Sequence, residues 1–167
     1  MKPLWILVLI LVVLYQCFLG CWVWSGSQLP ERVATHFNSA GEPNGWMSRS
    51  GHQMFMLVFG LAFPMGIVLL SYATRFLPRG MVNIPHRDYW LAPERRRETS
   101  SYLAHHSLWL ACLAVCFVIG LEFSIVQANR QHPPHLSLSA LLAVVVPFLA
   151  GTMIWVLIVM RHFRRVI

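Results

Sequence analysis

A polar stretch of twelve residues stands between two apolar runs and contains the residue types from which sites are built. It reads THFNSAGEPNGW, from Thr35 to Trp46, and holds a histidine, a carboxylate, two asparagines and three turn-forming residues. An imidazole and a carboxylate can bind a metal ion or move a proton, whereas asparagine, glycine and proline build rigid turns. The stretch is therefore a candidate catalytic site, metal site or ordered loop.

Enzyme chemistry finds little support in this stretch. A hydrolase needs a nucleophile with a base and an orienting group, or a metal with three convergent ligands. His36 has no partner at a zinc-protease spacing, and Ser39 lies in no nucleophile elbow. The pattern leaves enzyme activity open but favours a protein that is not an enzyme, and we assign no catalytic residue.

A metal site is the sharper alternative, because four histidines are predicted on the same side of the protein: His36, His52, His132 and His135. The competing interpretation is that His36 and Asn38 hydrogen-bond the backbone of their own loop and form a cap. We favour the cap and expect no cofactor. His36 and His52 remain weak metal candidates.

The elements that position these residues follow from composition. The chain has 167 residues, of which 57% are hydrophobic and 11% charged, and its mean hydropathy is +0.59. Four apolar runs, at about 4–24, 54–73, 103–127 and 136–160, are each long enough to cross a hydrocarbon core about 30 Å thick. We predict one all-α membrane domain over residues 1–167, a four-helix bundle with an ordered extracytoplasmic loop between the first two spans.

Basic residues predict the orientation. Ten of the thirteen lie at the N-terminus, in the segment between the second and third runs, and in the C-terminal tail, among them Lys2. The positive-inside rule then places both termini in the cytoplasm and the twelve-residue stretch outside. The net charge of +7 describes a collar that faces lipid headgroups and predicts the bilayer as a partner, not a nucleic acid.

Glu122 is the one acidic residue inside a predicted span. A carboxylate at this depth either serves a function or lies at the interface, and without a partner it costs several kcal/mol. We hypothesise that Glu122, His36 and Asn38 form one polar cluster at the outer mouth of the bundle, which senses pH or binds the polar end of a peptide.

The outer loop and the middle segment both contain strong local signals. In the outer loop, Gly41, Pro43 and Gly45 predict turns, with a positive φ at Gly45, and Trp46 is expected at the outer interface. In the middle segment, interfacial aromatic residues precede a helix start near Pro93, and six residues are candidate contacts on the cytoplasmic side: Asp88, Tyr89, Trp90, Pro93, Glu94 and Arg95.

The stretch LPERVATHFNSAGEPNGW resembles the signature of a bacterial membrane family of unknown function, related to the N-terminal domain of SdpI-type immunity proteins. The shared elements are Leu-Pro, Thr-His-Phe-Asn and Gly-x-Pro-x-Gly-Trp. The resemblance implies a place in the bacterial inner membrane and a role in protection against a secreted, membrane-active peptide toxin.

These observations predict an accessory protein of binding, sensing or toxin-immunity type, whose partner is a peptide or another membrane protein. The alternative is a metal-dependent or carboxylate-dependent membrane enzyme or transporter that uses His36, Glu42 and Glu122.

Overall fold

The computed structural model describes residues 4–165, so Lys2 lies outside the described residues. Four long helices, one short helix and a two-stranded hairpin follow one another along the chain. Their bounds are α1 Leu4–Gln28, β1 Arg32–Phe37, β2 Pro43–Ser48, α2 Arg49–Ala73, α3 Arg87–Trp90, α4 Arg96–Asn129 and α5 Leu138–Phe163, with a 3-10 turn at Arg79–Met81.

The long helices α1, α2, α4 and α5 are apolar and long enough to cross a membrane. Even the shortest has 25 residues, which corresponds to about 38 Å of helix. Their outward faces expose large apolar side chains, and on α5 these include Leu149, Met153, Ile154 and Leu157. Four helices of this kind are compatible with a membrane-embedded bundle, as the apolar runs predict.

Helix α4 is the central helix of the bundle, since it contacts α1, α2 and α5. It supplies five of the nine buried core residues, while α1 supplies Leu7, Leu11 and Phe18, and α2 supplies Met56. The phenyl ring of Phe18 lies against Gly60 so closely that a Cβ there would stand 2.1 Å from its Cζ. Glycine at this position therefore lets α1 approach the backbone of α2.

The loop between the first two long helices is a β-hairpin, which corrects the all-α prediction. Strands β1 and β2 are antiparallel, and Val33 pairs with Met47 and Ala34 with Trp46. The Ser48 side chain then caps α2 by accepting a hydrogen bond from the backbone N–H of Gly51. The sequence does not predict these strands, because each has only six residues and neither shows a regular alternation of apolar and polar residues.

The turn of the hairpin also differs from the prediction. The glycine with positive φ is Gly41, at +79°, and not Gly45. Gly45 lies in β2, where an added Cβ would stand 2.9 Å from the Cβ of His36 on the opposite strand. Glycine is needed at position 45 for close approach of the two strands, whereas position 41 needs it for backbone conformation.

The middle segment packs across the end of the bundle opposite the hairpin. The Trp90 indole donates to the backbone carbonyl of Phe163 at 2.9 Å, and the Thr99 hydroxyl donates to the carbonyl of Trp90 at 2.7 Å. The guanidinium of Arg95 lies 4.0 Å from the ring centre of Tyr89. These contacts tie the segment to α4 and to the end of α5.

Helix α4 begins at Arg96, three residues after the predicted start at Pro93. The carbonyl of Ala92 accepts from the backbone N–H of both Arg95 and Arg96, so a turn precedes the helix. The two acidic residues of the middle segment, Asp88 and Glu94, are exposed.

Candidate functional site

A buried histidine–carboxyl pair joins α2 to α4 just beneath the hairpin. Nε2 of His52 lies 2.9 Å from Oε2 of Glu122, and the two residues are 3% and 0% exposed. Among residues 4–165 this is the only histidine, lysine or arginine nitrogen within 4.0 Å of a carboxylate oxygen. The one acidic residue predicted inside a span therefore has a partner, and it comes from the second long helix.

A small hydrogen-bond network surrounds the pair. The Gln53 side-chain amide donates to Ser25 Oγ at 2.8 Å and reaches Oε1 of Glu122 at 3.5 Å. The Trp22 indole donates to the backbone carbonyl of Gln53 at 2.8 Å. Three helices thus contribute to the network, α1 through Trp22 and Ser25, α2 through His52 and Gln53, and α4 through Glu122.

The pair is bonded in either protonation arrangement. An imidazolium and a carboxylate form an ion pair, and a neutral imidazole with a protonated carboxyl group forms a neutral hydrogen bond across the same two atoms. Removal of either partner leaves the other buried, which costs about 3–5 kcal/mol for a buried pair. Such a pair is a weak source of stability, and ionisable residues inside membrane spans often have a function.

An apolar cavity of about 380 Å³ lies beside the pair, under the hairpin. Its apolar walls come from β2, α2 and α4, and its polar groups are the side chains of Thr35, His36 and His52; the apolar residues are Met47, Phe55, Met56, Leu121 and Ile125. Its size falls within the range of about 300–1,000 Å³ that is common for ligand pockets. Because Phe55 and His36 are exposed, the cavity reaches the surface between α2 and β1.

The hairpin is fixed over the cavity by α4. The side-chain amide of Asn129 accepts from the backbone N–H of Ala34 at 2.8 Å and donates to its carbonyl at 2.9 Å, as a neighbouring strand would. Val33 is fully buried against Leu29 and Val126. Both hydrogen-bonding groups of Ala34 that face α4 are thereby satisfied, and β1 is held in one position relative to the helix.

The tip of the hairpin makes a second attachment. The backbone N–H of Leu136, in the segment between α4 and α5, donates to the carbonyl of Gly41 at 2.9 Å. A Cβ at Gly41 would stand 2.4 Å from the carbonyl oxygen of Leu136. This close contact explains why the predicted loop is ordered at its tip.

Asn38, one of the predicted cap residues, organises the turn at the tip of the hairpin. Asn38 and Glu42 bond each other at 3.0 Å, and Oδ1 of Asn38 also accepts from the backbone N–H of Ala40 and Glu42. These residues are exposed and organise the turn that contains Gly41 and ends at Pro43. Of the two residues in the cap interpretation, Asn38 bonds the backbone of its own loop, whereas His36 contacts the Thr35 hydroxyl.

The hypothesised cluster of His36, Asn38 and Glu122 is replaced by a different grouping. The hydrogen-bond partners of Glu122 are His52 and Gln53, and the imidazole of His36 contacts the hydroxyl of Thr35 at 3.1 Å. His36 lines the same cavity as His52, so it stays near the site while Asn38 does not. The side-chain hydrogen bonds of Asn38 are made within its own turn.

The structure also locates Trp46, which was predicted at the membrane interface. Trp46 lies on β2 with its ring 4.9 Å beneath the guanidinium of Arg32 and is 39% exposed.

The metal hypothesis requires a group of ligands that converge on one point. Residues 4–165 contain no group of three or more histidine, cysteine or acidic side chains that could hold a metal ion. His36, His52, His132 and His135 therefore do not converge as the metal hypothesis requires.

The sequence reasoning missed the polar partners of Glu122 and the anchor of the hairpin. The sequence predicts His52 only as a weak metal ligand, although its position two residues before an apolar run matches the depth of Glu122 better than that of a loop histidine. For Gln53 and Ser25, polar residues near the ends of predicted spans were the available signal. Asn129 gave no signal, because its role depends on the position of β1.

Residues 4–62 match a domain of unknown function, DUF1648, a stretch that covers α1, the hairpin and the first part of α2. It includes His52 and Gln53 but ends before α4, which carries Glu122. No curated protein and no solved structure matches the chain.

Proposed function

We propose that this chain is a bacterial inner-membrane protein of the binding and immunity type, which takes up an amphipathic, membrane-active peptide in the cavity under its hairpin. The observation that carries the proposal is the composition of the cavity wall. Apolar side chains surround it, and one end presents His52, whose imidazole is bonded to the buried carboxylate of Glu122.

The proposed orientation has both termini in the cytoplasm and the hairpin outside. It is supported by the distribution of basic residues, because the ends of α2 and α5 and the start of α4 lie opposite the hairpin and carry most of the arginines. The cavity would then face the outer leaflet, which a secreted peptide reaches first.

The lining suits an apolar peptide segment. Met47 and Met56 have flexible thioether side chains that adapt to ligands of different shape. Phe55, at the rim, is 53% exposed and would contact a peptide that lies in the interface. Thr35, His36 and His52 offer hydrogen bonds to one polar end of the ligand, while the remainder stays in an apolar environment.

A cavity-filling variant tests this proposal with little disturbance of the ion pair. Leu121→Trp replaces an aliphatic side chain in the cavity wall by a bulky indole ring. The matched control is Leu157→Trp, on the exposed face of α5. Each variant is expressed in a sensitive bacterial host, which is then exposed to a panel of secreted amphipathic peptides. We expect the wild-type protein and Leu157→Trp to raise the inhibitory concentration of at least one peptide, and Leu121→Trp to abolish that gain.

Equal protection by both variants, at equal protein levels in the membrane, would contradict binding in the cavity. Absence of protection against every peptide of the panel would contradict the immunity role.

A carboxylate-dependent transporter is the second candidate, and the buried His52–Glu122 pair favours it. Glu42 is exposed at the hairpin turn and bonds Asn38, so the pair would replace the predicted set of His36, Glu42 and Glu122. In vesicles that enclose a pH-sensitive dye, a transporter of this kind would move protons in the wild type and stop in Glu122→Gln. A binding protein would move none in either case.

A further inference from the structure

A second cavity, of about 320 Å³, lies at the end of the bundle opposite the hairpin. Three arginines line it, Arg75 just after α2 and Arg96 and Arg97 in the first turn of α4, together with Pro93 and Ser100. The positive charges come from the turn after α2 and from the first turn of α4, and they line one cavity. This arrangement is independent of the site under the hairpin.

Among residues 4–165, no carboxylate oxygen lies within 4.0 Å of a guanidinium nitrogen of these three arginines. Among residues 4–165 the only ion pair within 4.0 Å is His52–Glu122, so the three arginines lack an acidic partner even though Glu94 and Glu98 are close in sequence. Both of these glutamates are exposed. The cavity is therefore a concentration of positive charge that an anion would neutralise.

The three guanidinium groups are only partly engaged. Nη2 of Arg96 donates to the backbone carbonyls of Thr74 and Leu77 at the end of α2, while its Nε is buried and has no hydrogen-bond partner. Arg75 lies over the ring of Tyr72, with 4.6 Å from its guanidinium carbon to the ring centre.

We propose that the cavity lined by Arg75, Arg96 and Arg97 binds a phosphate group. Guanidinium groups bind phosphate oxygens through two parallel hydrogen bonds, and the start of a long helix adds a partial positive charge. The side chain of Ser100, which also lines the cavity, carries a hydroxyl group that can donate a further hydrogen bond.

The position of the cavity favours the phosphate of a lipid headgroup. Arg75 lies two residues beyond the end of the apolar helix α2, and a helix of 25 residues reaches past a hydrocarbon core of about 30 Å. In a bilayer spanned by α2, the guanidinium groups would therefore stand at the depth of lipid phosphates. Soluble inorganic phosphate shares this chemistry and is the second source.

The experiment uses the full chain, purified in a neutral detergent and stripped of lipid. Native mass spectrometry measures bound dioleoylphosphatidylglycerol, and thermal unfolding measures the effect of millimolar inorganic phosphate. The test variant is the double substitution Arg75→Gln and Arg97→Gln, which leaves Arg96 to hold the end of α2. The matched control is Arg161→Gln with Arg165→Gln, which removes equal charge from another basic edge at the same end of the bundle.

We expect the test variant to bind the lipid at least about tenfold more weakly than wild type, and the control to bind within about twofold. If phosphate stabilises the wild type and the control but not the test variant, and the lipid does not bind, the site takes soluble phosphate. Equal loss in both double variants, or binding of neither ligand by the wild type, would overturn the proposal.

The lysine variant Arg75→Lys with Arg97→Lys covers the case in which the glutamine variant does not fold. It keeps both charges but loses the planar fork, so we expect lipid binding weakened severalfold. Unchanged binding of the lysine variant would overturn the assignment of guanidinium contacts to phosphate.

Discussion

Removal of the buried ion pair, one partner at a time, is the most informative perturbation of the fold. His52→Leu leaves the carboxylate of Glu122 with only the 3.5 Å contact from Gln53, and Glu122→Leu leaves the imidazole without its 2.9 Å partner. The double variant removes both polar groups and leaves an apolar contact between α2 and α4. The losses of unfolding free energy in the two single variants should therefore add up to more than the loss in the double variant.

The magnitude follows from burial. Because the residues are 3% and 0% exposed, water cannot replace the missing partner, and each single variant should lose about 3–5 kcal/mol of unfolding free energy. For a chain of this size, about 2–4 °C per kcal/mol gives a decrease in Tm of about 6–20 °C. The double variant should lose less than either single variant, since replacing a buried pair by apolar residues is often neutral.

Equilibrium unfolding in mixed micelles, followed by tryptophan fluorescence, gives the four free energies of this double-mutant cycle. Glu98→Leu is the control, because Glu98 is an exposed carboxylate on the same helix α4, and it should change stability by less than about 1 kcal/mol. A coupling energy below about 0.5 kcal/mol between His52 and Glu122 would refute the reasoning, since that value is expected of independent sites.

Two further predictions concern how the site is positioned. Gly60→Ala should destabilise the protein by about 1–3 kcal/mol through overlap with Phe18, whereas Gly66→Ala, on the same helix with open space around it, should be neutral or stabilising; equal thermal unfolding of the two variants would count against the contact. Asn129→Ala should release β1, because it removes both hydrogen bonds to Ala34. Hydrogen exchange should then accelerate in the hairpin and not in the helices, and unchanged protection of the hairpin would show that Asn129 is not its anchor.

The four long helices could be predicted from the sequence because their signal is local. An uninterrupted apolar run of about 20 residues is long enough to span a bilayer whatever its neighbours are. The helices of the structure are longer than the predicted apolar runs, because polar residues such as Arg49 and Asn129 extend them at their ends. Hydropathy carries no information about those turns.

The site depends on contacts between residues far apart in the chain, and these were only partly predictable. The sequence indicated that Glu122 needs a partner, but the choice between His36 and His52 depends on the register of α2 against α4. The same holds for Gly45, whose need for glycine arises from the opposite strand and not from its own turn. Side-chain contacts across 70 residues of sequence leave no local pattern.

Photo-cross-linking in vesicles tests whether the cavity beside His52 binds an amphipathic peptide, as we propose. A peptide that protects the host is synthesised with photoreactive leucine at its apolar face and cross-linked to the protein in vesicles, and the modified residues are identified by mass spectrometry. The proposal predicts cross-links concentrated on Met47, Phe55, Met56 and Ile125, and their loss in Leu121→Trp. Cross-links spread evenly over the lipid-facing side chains of α5, and unchanged in Leu121→Trp, would contradict it.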